Sequence, residues 1–179
     1  MIYMFLVEGF EEVEALAPLD LIRRAGLEIK TVGVGYKVVI GSHGIPVTAD
    51  MTDKEFSDDA PDMVILPGGM PGTKNLDASS IVHKAIADAV KNDAYVCAIC
   101  AAPMILGKLG LLSGKNAVCY PGFEKYLDGA ALPDKKVVRD GKIITAKGMG
   151  AAIEFGLTIV SALKDEKTAD DLAIATISK

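Results

Sequence analysis

Histidine occurs only twice in these 179 residues, cysteine three times, and no block of lysines or arginines is present. Each scarcity excludes something. The 19 basic residues are outnumbered by 24 acidic ones, a formal net charge of −5, so the chain has no basic footprint for nucleic acid or an anionic membrane. An odd cysteine count in a chain without an export signal argues against a disulfide framework and leaves the thiols to packing or chemistry. The apolar run Ile2–Val7 is too short to span a bilayer, lacks a basic leader and gives way to Glu8, Glu11 and Glu12. The expectation is a cytoplasmic protein with no membrane partner. No G-x-x-x-x-G-K-[ST] phosphate loop exists, and Gly33-Val34-Gly35 lacks the rest of a dinucleotide fingerprint, so no cofactor is expected. His43 in a glycine-rich loop and His83 in a lysine-flanked helix read as surface residues. With no acidic or cysteine cluster at ligand spacing near them, no metal is expected either.

What is present is a chain with 50% hydrophobic residues and no low-complexity tract, the size of one compact domain over residues 1–179 with a full core. Apolar runs of strand length occur at Ile2–Val7, Glu28–Val32, Met63–Leu66, Tyr95–Ala98, Ala117–Tyr120 and Ile143–Ala146. Several are apolar without alternation, as strands buried on both faces of a parallel sheet are. Helix-length segments lie between them: Glu12–Ala25 closed by Gly26, roughly Ser79 to Asn92, Pro103–Leu109 closed by Gly110, and Ala151–Leu163. This alternation predicts an α/β fold with a doubly wound, mainly parallel sheet sandwiched by helices. Tyr36–Ala49, in which Val38-Val39-Ile40 and Ile45-Pro46-Val47 flank Gly41-Ser42-His43-Gly44, reads as a small β-hairpin insert.

Ligand sites in such sheets lie beyond the carboxyl ends of the strands, where strand order reverses. Three features converge there. Cys100 ends the Tyr95–Ala98 strand at a turn whose neighbours Ala98, Ala101 and Ala102 lack bulk, the form of a nucleophile elbow. The helix opened by Pro103 is expected to favour a thiolate at Cys100 near neutrality. Pro67-Gly68-Gly69 follows the Met63–Leu66 strand, and Gly69 with the Ala101 amide forms a candidate oxyanion hole for a carbonyl attacked by Cys100. Glu14 shares its helical stripe with Ala17, Pro18, Leu21 and Ala25, so the carboxylate faces apolar company and its pKa should rise. A protonated Glu14 could hydrogen-bond the thiolate or shuttle a proton. Cys97 makes a C-x-x-C with Cys100 but sits inside the strand, where it packs. Cys119, at the end of the Ala117–Tyr120 run, is a possible secondary thiol whose commoner role is packing.

Together these motifs resemble the ThiJ/PfpI superfamily, in the branch that includes the Parkinson-disease-associated protein deglycase. The matching residues are Glu11-Glu12-Val13-Glu14 with Arg23-Arg24-Ala25-Gly26, Leu66-Pro67-Gly68-Gly69 with Asn75-Leu76, Ala98-Ile99-Cys100-Ala101, Asp140-Gly141 with Ile144-Thr145-Ala146, and Gly148-Met149-Gly150 before Glu154-Phe155. They run in order over essentially the whole chain. The resemblance implies a flavodoxin-like sandwich, a homodimer, an oxidation-sensitive Cys100 and a neighbouring carboxylate at Glu14. It also implies a small aldehyde or glycated-protein substrate, with glyoxalase (methylglyoxal to lactate), deglycase, chaperone and oxidative-stress roles among the family's activities. A redox-responsive protein whose Cys100 becomes a sulfinate without turnover is the rival reading.

Departures from the family pattern separate its branches. Protease-like members carry a histidine directly after the cysteine, where this chain has Ala101, and related amidotransferases need one downstream, whereas His43 and His83 both precede Cys100. Peptidase and amidotransferase activities are therefore not expected. Glyoxalase-active relatives have a histidine where this chain has Tyr120, ahead of Pro121. A phenol of unperturbed pKa about 10 donates a hydrogen bond but is a poor base at neutral pH. Tyr120 and Pro121, with Gly68, are expected to wall the pocket, and glyoxalase turnover is expected to be slow.

Overall fold

The computed structural model of the chain describes residues 1–57 and 60–179. Its order is β1 (Ile2–Leu6), α1 (Glu12–Arg24), β2 (Ile29–Gly33), β3 (Val38–Ile40), β4 (Pro46–Thr48), β5 (Met51–Thr52), β6 (Met63–Leu66), α2 (Gly72–Asp77), α3 (Ser80–Lys91), β7 (Tyr95–Ile99), α4 (Pro103–Lys108), β8 (Val137–Asp140), β9 (Ile143–Ala146), α5 (Ala152–Leu163) and α6 (Glu166–Ala175). Seven strands form one sheet in the order β5-β2-β1-β6-β7-β9-β8, parallel except for the β8–β9 pair, while β3 and β4 make the separate hairpin. The five central parallel strands, β2-β1-β6-β7-β9, follow the 2-1-3-4-5 order of flavodoxin-like folds. No helix among the described residues is long and apolar enough to cross a membrane.

Both faces of the sheet are covered, which is why the strands read as continuous apolar runs. Ile2, Met4 and Leu6 of β1 face a core shared with Ile22 of α1 and Phe155, Ile159 and Val160 of α5. Tyr3 and Phe5 point the other way, into a core with Leu76, Val82, Ile86 and Leu106. Phe56 packs edge-on against both rings, at 4.9 and 5.3 Å between centroids. Helix α1 continues through Pro18 and meets α5 closely at Gly156, where a Cβ would lie 2.9 Å from Pro18 Cα and 2.8 Å from Leu21 Cδ1. That approach fixes where Glu14, one turn earlier, enters the molecule.

The Ala117–Tyr120 run is not a sheet strand. β9 already occupies the edge of β7, so this segment's amides find other acceptors: Ala117 N–H donates to Ala131 O at 2.9 Å, Val118 N–H to Thr145 Oγ1 at 2.9 Å, and Tyr120 N–H to Cys100 O at 2.7 Å. Ala117, Val118 and Cys119 are buried all the same, which produced the strand-like composition. β8 and α6 add an edge strand and a terminal helix that carry no strong periodic signal.

Candidate active site

β1 pairs with β2 on one side and β6 on the other, so the reversal in strand order lies between β1 and β6. The turns after β1, β6 and β7 meet there. Cys100 directly follows β7 with φ +65°, a left-handed conformation that costs a non-glycine residue about 1–3 kcal/mol unless its surroundings hold it. Two backbone bonds hold it: its N–H donates to Ala146 O at 2.9 Å, and its carbonyl accepts Tyr120 N–H. Ala98, Ala101 and Ala102 around it are buried, and the half-buried sulfur accepts the N–H groups of Gly69 and Ala101.

The Gly68-Gly69 turn is built against the same point. A Cβ on Gly68 would lie 2.5 Å from Glu14 Oε2 and 2.6 Å from Cys100 Cβ, so only glycine lets the two side chains approach each other. Gly69 has φ +91°, and a Cβ there would sit 2.5 Å from Glu11 N. The turn is pinned by Glu11 N–H to Gly68 O at 3.0 Å and Thr73 N–H to Gly69 O at 2.8 Å.

Glu14 is 1% exposed, as its helical stripe implies. Glu11 caps α1 by accepting the Glu14 N–H at 2.7 Å, which sets the first turn and aims the Glu14 side chain inward. Oε2 accepts Gly68 N–H at 3.0 Å, and the carboxylate also engages the Met149 N–H and the Cys100 thiol. Burial and the neighbouring Glu11 charge push its pKa up to about 7; the bonds from the thiol and the two amides oppose the rise.

The thiol departs from the expectation of a preformed thiolate. Burial, the Glu14 charge and the bond to that carboxylate push Cys100 up to about 12, against the lowering pull of the Gly69 and Ala101 amides. Helix α4 has only six residues and starts three positions beyond Cys100, so the sulfur meets single amides rather than a long helix end. Near neutral pH the thiol is protonated and the carboxylate is the member of the pair that titrates.

The remaining candidates flank this pair. Half-exposed Tyr120 and Pro121 line a groove of about 540 Å³ with Lys136, Lys147 and the Gly148–Ala151 turn. Cys119 is buried and pushed up to about 11 by burial and the Glu124 charge, with Lys147 pulling the other way. Cys97 is fully buried and its pKa is raised by that burial. A larger cleft, about 640 Å³, lies at the opposite end of the sheet beside Met1, Asp62, Tyr95 and Lys142, and it brings no thiol near a base.

His43 is more than a surface residue. Its N–H and Nδ1 reach the two oxygens of buried Glu12 at 2.8 and 2.9 Å, and Ile45 N–H and Ser42 Oγ add longer contacts at 3.4 Å. Despite its burial, these bonds hold Glu12 down at about pKa 2, and the same contact raises His43. A Cβ on Gly41 would overlap Glu12, so the loop wraps that carboxylate. Contrary to the expectation of no ligand cluster near a histidine, Glu11, Glu12 and His43 place three donor atoms within 4.8 Å. The Glu12 oxygens are already engaged by the loop, so the cluster functions as a clasp between α1 and the hairpin.

A doubly wound sheet carrying a strained cysteine elbow beside a buried carboxylate defines a class of α/β proteins by its site geometry, and comparison with known proteins narrows it. Residues 1–162 match the DJ-1/PfpI family, and the chain belongs to that family. It is 34% identical to Protein dj-1beta of Drosophila melanogaster over 95% of this chain and 92% of that one. It is 32% identical to the glutathione-independent glyoxalase DJR-1.2 of Caenorhabditis elegans, over 90% and 87% respectively. Among solved structures, oxidized DJ-1 of Toxoplasma gondii superposes with a TM-score of 0.94 at 29% identity, covering 98% of this chain and 97% of that one.

Proposed function

We propose that this protein is a cofactor-independent cysteine enzyme acting on small reactive aldehydes and dicarbonyls, converting methylglyoxal to lactate or acting on early protein adducts of such compounds. One observation carries the reading: the thiol of Cys100 is hydrogen-bonded to a buried carboxylate whose pKa of about 7 suits a general base at neutral pH. Glu14 takes the thiol proton as the sulfur bonds the aldehyde carbon, and the Gly69 and Ala101 amides, already aimed at the sulfur, hold the new alkoxide. The proton then passes to that oxygen, giving a hemithioacetal. In the next step the carboxylate removes the hydrogen of the former aldehyde carbon as a proton and returns it to the neighbouring ketone carbon, while the hemithioacetal hydroxyl proton passes to the ketone oxygen. The first carbon is thereby oxidised to a thioester and the second reduced to an alcohol. Water cleaves the thioester, releasing lactate and restoring the thiol. Tyr120 contributes a hydrogen-bonding wall. The relative named as a glyoxalase supports this reading at family level.

Lactate formation from methylglyoxal by wild type, Cys100→Ser and Glu14→Gln tests it. Loss of turnover in both variants is expected; equal rates in all three would end the enzymatic reading.

The amides on the sulfur favour a second reading, in which two equivalents of peroxide convert the thiol to a sulfinate with release of two waters, and the protonated Glu14 holds an oxygen. Selective gain of two oxygens at Cys100 without aldehyde turnover would favour it. In either case a homodimer is expected, with the exposed Val13 and Leu16 of α1 and Val38, Ile40 and Ile45 of the hairpin region as its apolar face.

A further inference from the structure

A three-carbon dicarbonyl leaves most of the neighbouring groove empty. The groove's volume of about 540 Å³ falls within the ~300–1,000 Å³ range of pockets that enclose drug-sized ligands. It lies beside the reactive pair: Gly148, which lines it, is placed so that a Cβ would sit 3.3 Å from the Tyr120 ring and 3.8 Å from Glu14 Oε1. Its wall is largely apolar, formed by Tyr120, Pro121, Met149 and Ala151, and two cations, Lys136 and Lys147, line it as well.

The two lysines stand where repulsion would be expected to exclude them. β8 and β9 pair with Val137 opposite Ala146, so Lys136 and Lys147 come next in register, and Lys147 N–H donates to Lys136 O at 2.9 Å. Like charges directly opposite on a ladder destabilise it. Lys147 is partly compensated by the fully exposed Asp134 at 2.9 Å, and Lys136 forms no ion pair among the described residues. Among the described residues no carboxylate lines the groove, whereas that of Glu14 contacts the Cys100 thiol. An elongated ligand would therefore find negative charge disfavoured at its reacting end and favoured at its far end.

We propose that the preferred substrate is a reactive aldehyde or 2-oxoaldehyde on an apolar chain that ends in an anionic group, a carboxylate or a phosphate, bound between Lys136 and Lys147. The proposal rests on the carbonyl-enzyme reading and refines it. The test compares kcat/KM for two 2-oxoaldehydes of equal length, one with a terminal carboxylate and one with a terminal methyl, with methylglyoxal as reference. Wild type is expected to favour the carboxylate by about tenfold or more. The Lys136→Gln/Lys147→Gln double variant should bring the ratio near one, whereas Lys91→Gln on α3 should leave it as in wild type. A terminal phosphate in place of the carboxylate identifies which anion is preferred. Equal rates on the two long substrates, with methylglyoxal still turned over, would overturn this proposal and leave the carbonyl reading standing. If no carbonyl is turned over, calorimetry with octanoate, an apolar chain with one terminal carboxylate, decides: salt-sensitive binding that the double variant loses supports the anion-ended groove, and absence of binding overturns it.

Discussion

The carboxylate of Glu14 contacts the thiol of Cys100 while its Oε2 accepts the Gly68 N–H at 3.0 Å, so one buried group is shared between the helix after β1, the turn after β6 and the elbow after β7. Carboxylate, thiol and amide donors are consequently fixed relative to one another by backbone geometry. The consequences can be measured separately.

The pH dependence of turnover follows from the carboxylate. In the proposed mechanism the base form of Glu14 is the active one, and burial holds its pKa at about 7. Below that value kcat/KM for methylglyoxal should fall roughly tenfold per pH unit, with a plateau through pH 8 to 9. A profile with its midpoint near 4.5, the ordinary carboxylate value, would show that Glu14 is not the base.

Stability should respond to the same group with a defined sign. A carboxyl whose folded pKa exceeds its unfolded value binds its proton more tightly in the native state, so its contribution is complete at low pH and is lost as pH rises from about 4.5 through about 7. The loss is on the order of 3 kcal/mol. Glu14→Gln should therefore raise the denaturation midpoint at pH 8 far more than at pH 5; equal shifts at both would contradict the burial of an ionisable group.

Gly68→Ala should separate the pair. The added methyl would overlap both Glu14 Oε2 and Cys100 Cβ, forcing one of them aside. We expect a loss of about 1–3 kcal/mol in stability together with turnover reduced well beyond what that loss explains. Retained activity would mean the contact is not needed.

The clasp on the hairpin predicts acid behaviour of the opposite sign. Glu12 is held at about 2, below its unfolded value of about 4.5, so its contribution is present above pH 4.5 and lost as pH falls towards 2. His43→Ala removes the Nδ1 contact at 2.9 Å and should move acid unfolding to higher pH. An unchanged acid midpoint would show that the loop amides alone keep Glu12 charged.

Much of this arrangement is legible in the sequence because burial imposes pattern. Continuous apolar runs mark β1, β6, β7 and β9; small residues around Cys100 mark the elbow; and Glu14 betrays itself by sharing a stripe with Ala17, Pro18 and Leu21. The Ala117–Tyr120 run misleads for the same reason. Its residues are as buried as a strand's, but a side-chain hydroxyl and isolated carbonyls satisfy its amides, and composition cannot distinguish those acceptors from a ladder. The Glu12–His43 clasp depends on a hairpin folding back over α1 from 31 residues away, which no local pattern encodes. The direction of the thiol pKa is decided by how deeply Cys100 and Glu14 are buried together, and spacing gives only their proximity.

The most direct test compares wild type with Glu14→Gln in two assays. Replacing the carboxylate by an amide takes away the negative charge that raises the thiol and adds an N–H that can donate to a thiolate, so iodoacetamide should alkylate Cys100 faster at pH 8. Methylglyoxal turnover should fall roughly 10²- to 10⁴-fold in the same variant, because the base is gone. Faster alkylation with lost turnover is the expected result. Slower alkylation, or turnover that survives, would contradict a thiol held protonated by the very group that activates it.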